Sequence, residues 1–248
     1  MLTDNWLRAS RNGIKLRLGK PTLAVVSGTV LSRGVTEIFL GSSSKTYSLP
    51  DTIITIHQNA FNTINSKPSP VSVRLNEGLE VLESDCFSYS DIRHLVLPAS
   101  VRSIGPKAFY KCLCLESMDL RAARNLKELT KDTFGQCKKL RQVLLNEGLE
   151  TIGLRCFVDS ALEEAVLPNS VTALGAGAFY CCGCLREVVF NPDSCLETIG
   201  AECFFLCAFT RITIPKSVRD IGARAFMNCR DLVFVCFEEG SRLSHVGR

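Results

Sequence analysis

Ser170-Val171-Thr172-Ala173-Leu174-Gly175-Ala176-Gly177-Ala178-Phe179-Tyr180-Cys181-Cys182 recurs, with variation, as Ser217-Val218-Arg219-Asp220-Ile221-Gly222-Ala223-Arg224-Ala225-Phe226-Met227-Asn228-Cys229. Its opening also stands at Ser100-Val101-Arg102-Ser103-Ile104-Gly105. The phrase turns on a phenylalanine that returns at Phe61, Phe87, Phe109, Phe134, Phe157, Phe179, Phe204 and Phe226, at intervals of 26, 22, 25, 23, 22, 25 and 22 residues. A period of this length marks a solenoid, in which one small structural unit stacks on the next. Such arrays offer long surfaces to partners and rarely enclose a reaction pocket, so the period argues against an enzyme.

Each unit has two halves. The first reads as a strand with inward apolar residues two apart: Leu95 and Leu97, Val143 and Leu145, Ala165 and Leu167, Val188 and Phe190, Ile212 and Ile214, Val235 and Phe237. An apolar residue lies three positions before each pair, at Ile92, Leu140, Leu162, Leu185, Phe209 and Leu232. Pro98, Pro168 and Pro215 end their strands, because proline cannot donate to a ladder. The second half predicts an extended segment, a glycine corner and about one turn of helix, with Pro106 suited to a first helical position. The fold class is therefore a β-rich α/β solenoid with a parallel strand face. One unit cannot bury its own phenylalanine, so the rings are expected to stack along one core. At a strand spacing of roughly 4.8 Å, eight coils span on the order of 40 Å.

The run from Leu162 to Cys182, with Leu167-Pro168, Ser170-Val171, Leu174-Gly175 and Ala178-Phe179 at its turning points, resembles the BspA-like, or Treponema pallidum-type, leucine-rich repeat. Phe237-Glu238-Glu239-Gly240-Ser241-Arg242-Leu243 is similar to repeats in the expanded arrays of protists such as trichomonads. The likeness spans about residues 47–248. It implies a leucine-rich-repeat solenoid and a non-catalytic protein-binding scaffold, with cell-surface adhesins among its relatives, and it brings no catalytic residues. Two coils depart from the pattern and are expected to be irregular. Asn125-Leu126-Lys127-Glu128-Leu129-Thr130 lacks the glycine, and Asn62 to Pro70 replaces the cysteine with a loop.

Residues 1–46 do not fit the repeat and read as a capping segment with a basic arm at Arg8, Arg11, Lys15, Arg17 and Lys20. A hairpin is predicted there, from Thr22–Val30 and Val35–Leu40 about Ser32-Arg33-Gly34. Leu243-Ser244-His245-Val246-Gly247 begins the second half of a ninth repeat that stops before its phenylalanine, as in a truncated array. A net charge of +4 is too small to demand nucleic acid, and no apolar run approaches a membrane span. Met1-Leu2-Thr3-Asp4-Asn5-Trp6 shows no apolar signal core, so the sequence reads as cytoplasmic where the resemblance points to a cell surface.

Thirteen cysteines raise the question of metal or redox chemistry. Cys112, Cys137, Cys182, Cys207 and Cys229 lie three residues after the phenylalanine, and Cys86, Cys156 and Cys203 just before it, where other coils use alanine. They read as repeat positions filled by a small, readily buried side chain, with no cofactor implied. The dense clusters, Cys112-x-Cys114 and Cys181-Cys182-x-Cys184, keep a remote metal or thiol-sensor reading open, and stacking would bring Cys182 near Cys207. His57, His94 and His245 belong to no catalytic pattern.

One surface stands out. Between the inward strand residues, the outward residues are Arg74, Val96, Asp119, Leu144, Val166, Val189, Thr213 and Cys236 in successive coils. The flanking column is His94, Ser117, Gln142, Glu164, Glu187 and Arg211. An apolar strip with a polar border has the make-up of a recognition face, although β-branched residues also suit any strand. The candidate binding residues are Val96, Leu144, Val166 and Val189, with Glu164, Glu187 and Arg211 at the rim. The partner expected is a protein. The competing reading is a structural element that associates end to end through exposed terminal coils.

Overall fold

A computed structural model describes residues 16–18, 24–26, 29–31, 46–49, 52–61 and 72–248. The chain winds as a solenoid of about eight turns, each contributing to three parallel walls. The first wall is built from Thr46–Ser48, Ser72–Arg74, His94–Val96, Ser117–Asp119, Gln142–Leu144, Glu164–Leu167, Glu187–Phe190, Arg211–Ile214 and Phe234–Phe237. Alternation sets its two sides. In Glu164–Leu167 and Arg211–Ile214 the first and third residues face out and the second and fourth are buried. The inward pairs expected from the spacing pack in or against the core, except Val235 and Phe237, which are 38% and 47% exposed in the last coil; Met118 and Leu120 supply the pair for the remaining coil.

The first wall is not one continuous sheet. Its ladder breaks between Ser72–Arg74 and His94–Val96, between Gln142–Leu144 and Glu164–Leu167, and between Glu187–Phe190 and Arg211–Ile214. The second wall consists of short strands: Val81–Leu82, Ser103–Ile104, Glu128–Leu129, Thr151–Ile152, Ala173–Leu174, Thr198–Ile199, Asp220–Ile221 and His245–Val246, preceded by Ile53–Ile56. In six coils the chain leaves this wall through glycine, where coils approach closely; Glu83 and Thr130 take that place in two others. A Cβ on Gly200 would lie 2.6 Å from the Ala176 amide nitrogen and the Gly175 carbonyl carbon.

At Thr130 the rung is lost. The second wall is interrupted between Ser103–Ile104 and Glu128–Leu129. At Gly105, Gly153, Gly175, Gly200, Gly222 and Gly247 the amide bonds the preceding coil at 2.7–2.8 Å. At Thr130 the hydroxyl donates to the Ile104 carbonyl at 3.0 Å. Glu83, at the same corner after Val81–Leu82, keeps its rung, its amide bonding the Ile56 carbonyl at 2.9 Å, whereas at Thr130 the side-chain oxygen makes the bond between coils. The irregularity expected at Asn125–Thr130 is thus a missed rung. Asn62 to Pro70 lies outside the described residues.

The third wall corrects the expected turn of helix, since no helix occurs among the described residues. Its residues form successive β-turns. In one coil the amides of Ala178, Tyr180 and Cys182 donate to the carbonyls of Gly175, Gly177 and Phe179. Positive φ recurs two residues before the phenylalanine, from Asn59 and Asp85 to Gly177 and Arg224, and two residues after it, from Tyr89 to Asn228. Each such residue is the third of its turn, the position where a type II turn demands positive φ. The turns leave intervening amides free to point along the stack, where Phe157 and Phe179 donate to Ala178 and Cys203, both at 2.8 Å. A single helical turn would point these amides along its own axis and forfeit the bonds between coils.

Eight phenylalanines stack as expected. Successive rings from Phe61 to Phe226 lie 4.5–5.6 Å apart with planes within 5–15°. Each buried ring contributes roughly 1.5–3 kcal/mol of transfer energy, offset by the order the coil must adopt. The N-terminal end of the second wall is covered by Leu16–Leu18, antiparallel to Ile53–Ile56. The predicted hairpin is displaced: Ala24–Val26 pairs antiparallel with Thr29–Leu31, which begins within the predicted strand Thr22–Val30 and ends one residue beyond it. Residues 27–28 and 35–40 lie outside the described residues.

Candidate functional site

The outward side of the first wall carries every candidate binding residue. Val96 is 63% exposed and Val166 48%. Leu144 and Val189 are half-buried, and Glu164, Glu187 and Arg211 are exposed. Register decides which of them meet. Val166 pairs directly with Val189, and Glu164 with Glu187. Leu144 is their neighbour across a broken rung. Val96 is set apart, because Asp119 stands between it and Leu144. The apolar strip is therefore Leu144, Val166 and Val189, with Val96 as an outlier.

The breaks in the ladder give the face its relief. A depression of about 590 Å³ opens at the seam between Gln142–Leu144 and Glu164–Leu167, and Leu144 and Val166 line it. A second, of about 600 Å³, opens between Glu187–Phe190 and Arg211–Ile214. Arg186 and Glu187 contribute to both. Toward the N-terminal coils Arg121 grips Asp119 through two nitrogens, at 3.1 and 2.7 Å. That hydrogen-bonded guanidinium holds the Asp119 carboxyl below its ordinary range.

Phe234, Arg186 and the Asp119–Arg121 pair belong to this surface but not to the sequence-derived set. Phe234 is 56% exposed, and the Arg211 guanidinium lies 5.8 Å from its ring centre. Extending the His94-to-Arg211 column by one coil reaches Phe234, so its signal was present. Arg186 carries no such mark, since it flanks a strand end.

The cysteines three residues after the phenylalanine belong to the third wall, whereas Cys236 is exposed on the first. Cys112, Cys137, Cys182, Cys207 and Cys229 donate their thiols to the carbonyls of Phe87, Phe109, Phe157, Phe179 and Phe204 in the preceding coil, at 2.9–3.2 Å. Each thiol fills the second lone pair of a carbonyl that already accepts a turn amide. All thirteen cysteines are free thiols. Cys181 and Cys184 have the two-residue spacing of metal-binding pairs, but the third member of their cluster, Cys182, is fully buried. Among the described residues no three His, Cys, Asp or Glu side chains gather where they could hold a metal. The histidines are dispersed: His57 meets Glu83 at 3.0 Å, His94 meets Ser117 at 2.8 Å, and His245 lies in the last coil.

The sequence matches the BspA type leucine rich repeat region, in six copies, over residues 35–123 and 103–233. The chain belongs to the BspA-type leucine-rich repeat family. No curated protein matches it in sequence. The solenoid is similar to a leucine-rich repeat protein of T. pallidum, with 22% identity, a TM-score of 0.51, and 84% of this chain against 81% of that one. It also resembles the pneumococcal vaccine antigen PcpA, with 22% identity, a TM-score of 0.49, and 97% of this chain against 52% of that one. A leucine rich cell surface protein of Faecalibacterium prausnitzii shows 19% identity and a TM-score of 0.43, with 88% of this chain against 77% of that one. Likeness at these identities concerns the fold. Among the described residues no helix is long and apolar enough to cross a membrane.

Proposed function

We propose that this BspA-type repeat protein is a non-catalytic scaffold that binds another protein through the outward side of its first wall. One observation carries the reading: Leu144, Val166 and Val189 stand in successive coils on a face bordered by Glu164, Glu187 and Arg211. A folded chain rarely leaves such a strip uncovered without a use for it. Rigidity supports the same view. The face is backed by stacked rings and laddered amides, so it needs little ordering when it binds.

A second reading rests on the last coil. Val233 is 69% exposed, Phe234 56%, Phe237 47% and Val246 60%, and Phe234–Phe237 and His245–Val246 are edge strands among the described residues. Such a surface supports stacking against a further coil or another chain.

The test is cross-linked affinity capture from native extract with the wild-type chain and with Leu144→Lys/Val166→Lys/Val189→Lys. The purified captured protein is then titrated against both. The scaffold reading expects a direct complex with wild type that weakens at least tenfold in the variant, while both chains melt alike. A complex indifferent to the variant, or recovery of the chain alone with concentration-dependent sedimentation, removes the face and favours the terminal coil.

A further inference from the structure

The strand face has an electrostatic feature that folding does not require. Glu164 and Glu187 are register partners in a parallel ladder, and both are exposed on the outward side. Like charges opposed on one sheet face are unfavourable. Among the described residues no ion pair reaches either of them, because Arg141 meets Glu163 at 3.7 Å and Arg121 meets Asp119 at 2.7 Å. Arg211 follows in the same column, but its guanidinium lies over Phe234.

The groove between Gln142–Leu144 and Glu164–Leu167 inherits that imbalance. Its lining holds four carboxylates, those of Glu147, Glu163, Glu164 and Glu187, and three guanidiniums, those of Arg121, Arg141 and Arg186. Setting aside the pairs already formed leaves Glu147, Glu164 and Glu187 against Arg186. The groove is thus negative in a chain whose net charge is +4, so its sign is not a by-product of composition. Its floor, Leu144 and Val166, is apolar. The strands on either side share no ladder, and the backbone bond across the seam lies at its start, from the Glu163 amide to the Arg141 carbonyl at 3.5 Å.

We propose that this groove receives an extended segment of a partner protein in which a lysine or arginine stands two residues from an aliphatic side chain. The inference rests on the reading of the strand face as a binding surface and names the chemistry that face selects. Glu164 and Val166 are two positions apart on one strand, roughly 6.6 Å. An extended segment laid along that strand presents its own i and i+2 side chains at the same spacing. The cation then sits between the two carboxylates, and the aliphatic group covers Val166 and Leu144. Charge complementarity selects this occupant. A nucleic acid or an acidic membrane would be repelled, and a free metal ion would leave the apolar floor uncovered.

The test is a selection from a displayed library of random dodecapeptides on the full-length chain. Enriched peptides are synthesised and titrated against wild type, Glu164→Gln/Glu187→Gln and Val166→Lys. The expected result is enrichment of Lys or Arg two residues from Val, Ile, Leu or Met, with affinity falling at least tenfold in the Gln pair and in Val166→Lys, and falling with added salt. Removing the repulsion leaves the Gln pair melting at or above wild type, so lost binding there cannot be lost folding. Peptides without a basic residue that weaken only in Val166→Lys would overturn the charged-partner inference and leave the face reading intact. Peptides indifferent to both variants, or no enrichment, would overturn both.

Discussion

Raising the pH should unfold this solenoid through its thiols. Six of them, Cys86, Cys137, Cys156, Cys182, Cys203 and Cys207, have ionisation pushed up from an ordinary value of 9.0, and in each the first cause is burial. Cys182 is the mildest of those with values, at about 12. The folded state therefore holds its thiol protons where the unfolded chain releases them. For a raised group the stabilisation is complete below the unfolded value and is lost as pH climbs toward the folded one, so the window opens near pH 9. One pH unit above that point each thiol costs about 1.4 kcal/mol, and six cost about 8 kcal/mol, comparable with a domain's whole stability of about 5–15 kcal/mol. The decisive comparison is with Cys156→Ala/Cys203→Ala. Alanine already occupies that position at Ala108 and Ala178, so the variant should fold. Urea unfolding followed by circular dichroism under reductant, at pH 7.5 and pH 10, should show a pH-dependent loss about 3 kcal/mol smaller in the variant. Equal losses in the two chains, or a wild type as stable at pH 10 as at 7.5, would refute the reasoning.

Gly200→Ala places a Cβ 2.6 Å from backbone of the preceding coil and should cost about 1–3 kcal/mol in a urea melt; a neutral outcome would mean that the coils separate freely there. Arg224, exposed with φ of 57°, should become more stable by about 0.5–1 kcal/mol as Arg224→Gly, measured by thermal denaturation. A helical segment would lose about 1 kcal/mol from the same change, so the sign of the shift separates the two conformations.

The phenylalanine period by itself determined that the chain is a solenoid, that its rings stack and that the residues two apart face inward. The reason is physical: a coil of 22–26 residues cannot bury a phenylalanine alone, so every coil must repeat the solution of its neighbour. The irregularity at Thr130 was also legible as a missing glycine, although Glu83 keeps its rung without one. The turn chain read as helix was not. Arg155, Glu202, Leu206 and Arg224 adopt positive φ without the glycine or asparagine that would announce it, because amides shared between coils outweigh the local cost. The candidate site divides in the same way. Spacing put Leu144, Val166, Val189, Glu164 and Glu187 on one face, because alternation in a strand is local. Tertiary structure decided that Val166 meets Val189 and Glu164 meets Glu187, that Asp119 isolates Val96, and that the ladder opens beside Leu144. Those outcomes depend on how far each coil rises before the next strand begins, a sum over a whole turn that no local stretch of sequence carries.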